Sequence, residues 1–495
     1  MNILLLSMPD SFEHMPEPVV RMPNGALTSL AGNVDPHHAV AVADLILVQR
    51  RVQQTVQQLV RDLQPDIIGL SVMTFQRETA KKIVALVRKL RPSVKIVVGG
   101  YDPSLAAEAY TSNPDVDFIV RGEGEITFRE LLRAMENGAG YERIAGLSYR
   151  YGSEFRHNPE RPVSRLESEA INLPNRNARV LRGYTIIGRQ VDVIETSRGC
   201  TFDCSFCSII EMRGRNFHVY SFDRVLADIR DARDHGARAI FLVDDNITLN
   251  VARFEALCQA IIQAGLNSID YIVQAMTSAI ANHGERLAPL MRKAGFRYVF
   301  LGIENILEKD LAFLRAVSKN TKREDGQRSN ATIKAIDYIH QNRMYVVGGL
   351  IVGNPDDTRE SIQANLDFAR RYVDWPYIQH PTPYPRTPMT KDFRDRDLIV
   401  NDRLEEYDGT TAVVRTEYLS ADEAEFMRWK AERWMKLRHI PVAALHNPLF
   451  ILTNWRRILA HTFRGSTLKS LVGLEDEHRA FERFRAIRRL ERVYI

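Results

Sequence analysis

Short apolar runs alternate with stretches of helical spacing along most of the chain. Residues 3–7, 66–73, 94–99 and 117–120 are apolar runs of strand length. Between them, the spacing of Leu, Val and Ile predicts helices over 40–63, 78–90 and 127–135. Alternation of this kind implies a parallel sheet covered on both faces. This doubly wound unit takes in residues 1–145. Ligands on such sheets sit at the carboxyl ends of the strands, which here carry Ser71, Met73 and Thr74, then Gly99, Gly100 and Tyr101, then Gly122 and Glu123. The pattern weakens afterwards, with Pro159, Pro162 and Pro174 among polar residues. Residues 146–187 read as a connector with a small hairpin near 147–155.

A second alternating series fills residues 188–400. Strands are predicted over 191–196, 239–243, 271–275, 298–301, 346–352 and 377–380. Helices are predicted over 222–235, 252–265, 284–294, 330–342 and 358–372. Six strand–helix units make a partial barrel, whose active site belongs at the strand carboxyl ends. Residues 401–495 read as helical and basic.

Composition changes this picture little. Hydrophobic residues make up 45% and charged residues 26%, as in ordinary globular chains. A net charge of +5 over 495 residues gives no reason to expect a nucleic-acid partner. No leader and no apolar run of transmembrane length are visible. The expectation is a cytoplasmic protein.

The four cysteines matter more. Three fall within Arg198-Gly-Cys200-Thr-Phe-Asp-Cys204-Ser-Phe-Cys207, and Cys258 stands alone in an apolar helix. That is no disulfide framework. Thiolates clustered at C-x3-C-x2-C spacing, directly after a predicted strand, suit an iron–sulfur cluster. Three thiolates leave one iron of a [4Fe–4S] cluster open to a small ligand. The other readings are zinc, which would want a fourth ligand such as His218, and packed core thiols.

In this setting the cysteine loop resembles that of the radical S-adenosylmethionine (SAM) superfamily. The resemblance implies that Cys200, Cys204 and Cys207 hold the cluster. SAM on the open iron would then be cleaved to a 5′-deoxyadenosyl radical. Further segments are similar to the family's SAM-contacting motifs: Asp244, Asp245 and Asn246 after the second strand, Gly302-Ile-Glu304 after the fourth, and Gly348-Gly349 through Gly353 at the fifth. The stretch Thr382-Pro-Tyr-Pro-Arg386-Thr-Pro resembles a sixth-strand motif in which Arg386 replaces a glycine. Asp244 and Asp245 also suit a helix cap, and the glycines also suit tight packing.

The first 145 residues resemble the Rossmann-like cobalamin-binding domain that precedes many such barrels. The matching text is Pro65-Asp-Ile-Ile-Gly69-Leu-Ser71-Val-Met73-Thr74, Gly99-Gly100-Tyr101 and Arg121-Gly122-Glu123-Gly124-Glu125. The D-x-H-x-x-G signature, which gives cobalt a histidine, is missing; Asp35-Pro-His37-His38 has only part of it. Ser71, Met73, Thr74, Gly99, Gly100, Tyr101, Gly122 and Glu123 would then line the corrin.

Together the two resemblances imply a cobalamin-dependent radical SAM C-methyltransferase acting on an unactivated carbon. A cyclase without methyl transfer and a methylase of a polar natural product are the alternatives. The overall texture is most similar to the hopanoid C-3 methylase branch, which implies a polycyclic lipid substrate. An external one-electron donor such as flavodoxin or ferredoxin is expected. Trp429, Trp434 and Trp455 among Arg428, Arg433, Arg456 and Arg457 suit either a helical cap or contact with a membrane surface. Glu195, Tyr298, Gln379 and His380 are acid–base candidates by position alone.

Overall fold

The computed structural model describes residues 1–12, 19–164, 166, 171–324, 327–438, 440, 441, 444 and 447–495. The amino-terminal sheet contains β1 (Asn2–Ser7), β3 (Ala39–Asp44), β4 (Ile67–Ser71), β5 (Lys95–Gly99), β6 (Phe118–Val120), β7 (Leu147–Tyr151) and β8 (Glu154–His157), whereas β2 (Val20–Arg21) joins the second sheet. The strand order is β3-β1-β4-β5-β6-β7-β8. The first five strands run parallel, and β7 and β8 add an antiparallel hairpin at the edge. Leu4, Leu6, Ile68, Leu70, Ile96 and Val98 are buried on one face under the helices Val52–Leu63 and Arg77–Leu90. Ile3, Leu5, Ile67 and Val97 are buried on the other, with Phe128 and Leu131 of the helix Gly124–Glu136. Burial on both faces explains why these strands read as continuous apolar runs.

One expectation is corrected. The helix expected over 40–63 divides into the end of β3, a kinked 3-10 stretch over Leu45–Arg51 and an α-helix that begins at Val52. Ala39–Asp44 has the period-two alternation of a strand, and it pairs along its whole length with β1.

The second sheet is built from β9 (Thr185–Ile186), β10 (Arg189–Ile194), β13 (Ala239–Leu242), β14 (Asp270–Met276), β15 (Phe296–Glu304), β18 (Tyr345–Ile351) and β19 (Trp375–Gln379). Two small hairpins lie outside it: β11 (Ser197–Arg198) with β12 (His218–Val219), and β16 (Thr321–Glu324) with β17 (Gln327–Asn330). The order β19-β18-β15-β14-β13-β10-β9-β2 leaves six parallel strands, β10 to β19, and an antiparallel edge. Helices Phe222–Asp234, Val251–Gln263, Thr277–Ala294, Thr332–Gln341 and Arg359–Tyr372 follow successive strands. Cys258 is fully buried among them.

The connector is pinned by charge. Arg176 reaches Asp192, Asp228 and Asp231 at 2.9, 2.6 and 2.7 Å. The carboxyl-terminal region is partly interior: Arg428 and Trp429 are buried on the helix Ala421–Arg438, and Trp429 packs on Phe481 and Phe484 of the helix Glu477–Glu491. Trp429 thus fits the helical-cap alternative, because two packed helices need an apolar seam between them. The helix Pro448–Thr462 does leave Leu449, Leu452 and Trp455 exposed. Tyr494 and Ile495 return to pack against the amino-terminal core. Among the described residues, no helix is long and apolar enough to cross a membrane.

Candidate functional site

Two cavities open at the strand carboxyl ends. The first, about 260 Å³, is lined by Ser71, Met73, Gly99, Gly100, Tyr101, Gly122 and Glu123 of the first domain, and by Glu195, Arg198 and Arg213 of the second. The backbone there needs glycine. Gly100 has φ +102, and a Cβ on it would lie 2.9 Å from the Val72 backbone. Gly122 has φ +72 with nothing within 4 Å of a built Cβ, so a side chain there would enter open space. A glycine-rich cradle of this form suits a flat macrocycle that approaches the chain closely.

The second cavity, about 400 Å³, is lined by all three clustered cysteines, by Asp244, Asp245 and Asn246, and by Glu304, Lys319, Gly349 and Gln379. Several bonds hold the cysteine loop. The Ser205 amide donates to the Leu314 carbonyl at 3.0 Å, and its hydroxyl donates to Phe313 at 2.9 Å. Gly199, at φ +92, has the Asn216 carbonyl 2.4 Å from where a Cβ would be. Its amide donates to Asp245 at 2.7 Å, and Arg213 donates to the same carboxylate at 2.8 Å. The Asp244 carboxylate accepts the Thr196 amide at 2.7 Å and the hydroxyls of Thr196 and Ser197. Both aspartates thus brace the loop from the end of β13, and they still face the cavity. Burial raises the Asp244 pKa to about 6 against those hydrogen bonds. Asn246 donates to the Cys200 sulfur at 3.5 Å.

Burial also pushes the Cys204 thiol up to about 11 and the Cys207 thiol to about 12. Left alone, these thiols stay protonated at neutral pH. A bound cationic centre reverses that by taking the thiolates as ligands. Three thiols on one cavity wall therefore fit an iron–sulfur cluster. His218 is not on that wall, which leaves zinc without its nearest fourth ligand.

At the end of β15, Glu304 adopts φ +59 and accepts from Lys319 Nζ at 2.9 Å. A Cβ on Gly302 would lie 2.8 Å from the Glu304 carboxylate, so the glycine lets that carboxylate fold back over the strand. Gly349 likewise makes room for the Phe300 ring, 2.8 Å from its built Cβ.

Tyr101 lines both cavities and forms part of the wall between them. Arg198, just before the cysteine loop, bridges the domains: it meets Glu125 at 2.6 Å, Glu195 at 2.7 Å and Glu123 at 3.5 Å. Burial opposes its charge, but Glu125 and Glu195 outweigh that and hold the guanidinium protonated. Burial likewise works against the Glu125 carboxylate, and Arg198 prevails, bringing its pKa down to about 2.

Several expected positions fall elsewhere. Thr74 is buried at the start of a single helical turn and does not line the first cavity. Gly353, at φ +96, forms a turn whose amide donates to Asp357 at 2.8 Å, off the second cavity wall. Tyr298 packs its ring at a tilt against Tyr345 at the opposite end of the strands. His380 is buried and bonded through Nδ1 to the Val352 carbonyl, and burial lowers its pKa to about 3. Sequence reasoning missed Arg198, Arg213 and Lys319. For Arg198 a signal existed, since it directly precedes Gly199-Cys200.

Fold and site together define a radical SAM enzyme with a B12-binding domain. The sequence matches the B12 binding domain family over residues 26–132 and the Radical SAM superfamily over residues 194–369. The chain belongs among enzymes that join these two domains. It is 28% identical over 408 residues to an uncharacterized methyltransferase of Pyrococcus horikoshii, covering 82% of this chain and 86% of that one. It is 25% identical over 411 residues to the anaerobic magnesium-protoporphyrin IX monomethyl ester cyclase of Cereibacter sphaeroides, covering 81% and 63%. With the hopanoid C-3 methylase of Methylococcus capsulatus it shares 27% over 418 residues, covering 82% and 75%. The solved radical SAM methyltransferase TsrM of Kitasatospora setae, with cobalamin and a [4Fe–4S] cluster bound, shares the fold at TM-score 0.64 and 18% identity, covering 80% and 75%.

Proposed function

We propose that the chain is a cobalamin-dependent radical SAM methyltransferase that methylates an unactivated carbon. The observation that carries this is the pair of cavities meeting at Tyr101, which would put a corrin and a SAM-binding cluster side by side. When bound, the cluster with SAM supplies a carbon radical and cobalamin supplies the methyl group. The chain's own residues bind and orient. Cys200, Cys204 and Cys207 would hold the cluster, with the Asp244 and Asp245 carboxylates fixing their loop. Asn246, Glu304 and Gly349 would face SAM, and Lys319 holds Glu304 in place. Ser71, Met73, Gly99, Gly100, Tyr101, Gly122 and Glu123 would line the corrin. An external flavodoxin or ferredoxin would supply the electron.

For the substrate, we favour a hopanoid-type polycyclic lipid. Support comes from the likeness to the hopanoid C-3 methylase and from Leu449, Leu452 and Trp455, exposed beside Arg456 and Arg457 and suited to a membrane surface. The likeness to the cyclase favours a second reading, oxidative ring closure. Anaerobic reaction with SAM, reductant and a hopanoid extract separates the two: methyl transfer adds a CH2 unit to the product mass, and ring closure does not. Absence of 5′-deoxyadenosine after reduction refutes both.

A further inference from the structure

The incomplete D-x-H segment, Asp35 to His38, takes no part in either cavity. It lies in the turn before β3, at the amino-terminal edge of the first sheet, opposite the corrin-side loops. The turn is fastened to the last turn of the helix Gly124–Glu136. Arg133 donates twice to Asp35, at 2.6 and 2.7 Å. His37 Nε2 lies 3.0 Å from Glu136 Oε1, and His38 Nε2 lies 3.9 Å from Oε2. One ligand atom from each of His37, His38 and Glu136 falls within 4.8 Å of the other two.

The two histidines differ in a telling way. His37 is exposed, and an exposed histidine beside a glutamate is an ordinary surface pair. His38 is buried, with its side chain 0% exposed, and its Nε2 has no hydrogen-bond partner. An unpaired buried ring nitrogen aimed at a carboxylate is a costly arrangement unless a further group satisfies both. Its other nitrogen, Nδ1, lies 3.1 Å from the Met1 nitrogen. The Met1 ammonium donates to Nδ1, which fixes the ring and puts the neutral imidazole's proton on Nε2, facing Glu136; an ion bound at Nε2 would displace that proton and leave one proton shared between Nδ1 and the Met1 amine. Two ligands on a tetrahedral zinc-like ion stand about 3.3 Å apart, for metal–ligand bonds of roughly 2.0–2.1 Å. The observed 3.0 and 3.9 Å straddle that spacing.

We propose that His37 Nε2, His38 Nε2 and the Glu136 carboxylate form a surface site for a borderline divalent transition metal such as zinc, with water completing the shell. Imidazole and carboxylate ligands suit such an ion. The ion would staple the start of β3 to the end of a helix about a hundred residues away in sequence, at the end of the domain remote from the chemistry.

Cobalt(II) is the probe, because its spectrum distinguishes nitrogen and oxygen ligands from thiolates. The full chain is first loaded with its iron–sulfur cluster, so that the cysteines are occupied, and is then titrated with cobalt(II) chloride. The expected result is one cobalt per chain with visible d–d bands, no sulfur-to-cobalt charge transfer, and displacement by zinc. His37→Ala and Glu136→Gln should each weaken binding at least tenfold and leave 5′-deoxyadenosine formation unchanged. Both residues are exposed, so these variants should fold; circular dichroism and retained cluster absorbance check this. Cobalt binding of wild-type strength in both variants overturns the site, as does a wild-type chain that takes up no stoichiometric cobalt. The cluster and cobalamin reading survives either result, because its readouts are separate.

Discussion

Replacing Arg198 by Met removes the guanidinium that meets three glutamates at the domain junction while keeping much of its bulk. Its partners Glu125 and Glu123 are nearly as buried as Arg198 itself, with side chains 7% and 6% exposed. The fall of the Glu125 pKa from 4.5 to about 2 corresponds to about 3 kcal/mol of stability at neutral pH. Leaving a buried charge unpaired typically costs about 3–5 kcal/mol. Arg198→Met should therefore destabilise by roughly 3–5 kcal/mol. Glu125→Gln in the same chain should recover about 2 kcal/mol, because the uncompensated carboxylate is gone. Urea unfolding of the single and double variants, followed by circular dichroism at pH 7, gives the coupling energy. The reasoning is refuted if Arg198→Met costs under about 1 kcal/mol, or if the two changes add to within about 0.5 kcal/mol.

Gly122→Val adds a side chain to a residue that lines the first cavity and strains a backbone at φ +72. It should cost about 1–3 kcal/mol and abolish cobalamin retention; a variant that keeps cobalamin at wild-type stoichiometry would remove Gly122 from the corrin wall. Lys319→Met leaves Glu304 without its cation and should weaken SAM binding by roughly tenfold, about 1.4 kcal/mol, in a calorimetric titration of the cluster-loaded chain. Unchanged affinity would separate that pair from SAM. Folded-state pKa values of about 2 at Glu125, paired with Arg198, and at buried Asp408, paired with Arg488 and Arg492 of the carboxyl-terminal region, lie below their ordinary 4.5 and 3.8. Their stabilisation is complete above those ordinary values and is lost as pH falls towards 2, so the melting temperature should drop steeply between pH 4.5 and 2; a flat profile contradicts these pairings. Trp455→Glu should reduce sedimentation with anionic liposomes, and an unchanged bound fraction would remove this helix from any membrane contact.

The six barrel strands were legible because short runs rich in β-branched and aromatic residues recur between stretches of helical spacing. β3 was not, because its Ala-Val alternation runs directly into the helix behind it and the two share one apolar stripe. The three cysteines and the glycine cradle were readable as local motifs. The Arg198–Glu125 pair was not, because its members stand 73 positions apart and only the docking of two domains brings them together. Lys319 is similar, since the bend at Glu304 that presents the carboxylate to it depends on the bare backbone of Gly302. The burial of Trp429 was not legible because its cover, Phe481 and Phe484, comes from a helix far along the chain. Gly353 and Thr74 show the converse: a motif position can serve a turn or the core and lie off the cavity wall.

The central claim is that Cys200, Cys204 and Cys207 hold a SAM-cleaving cluster beside a corrin. Anaerobic purification with added cobalamin, followed by metal analysis and reaction with reductant and methyl-labelled SAM, tests it most directly. The account predicts four irons and one cobalt per chain, 5′-deoxyadenosine on reduction, and loss of both iron and 5′-deoxyadenosine in the Cys→Ala variants. A chain that carries zinc at those thiols, or Cys→Ala variants that still cleave SAM, would contradict it.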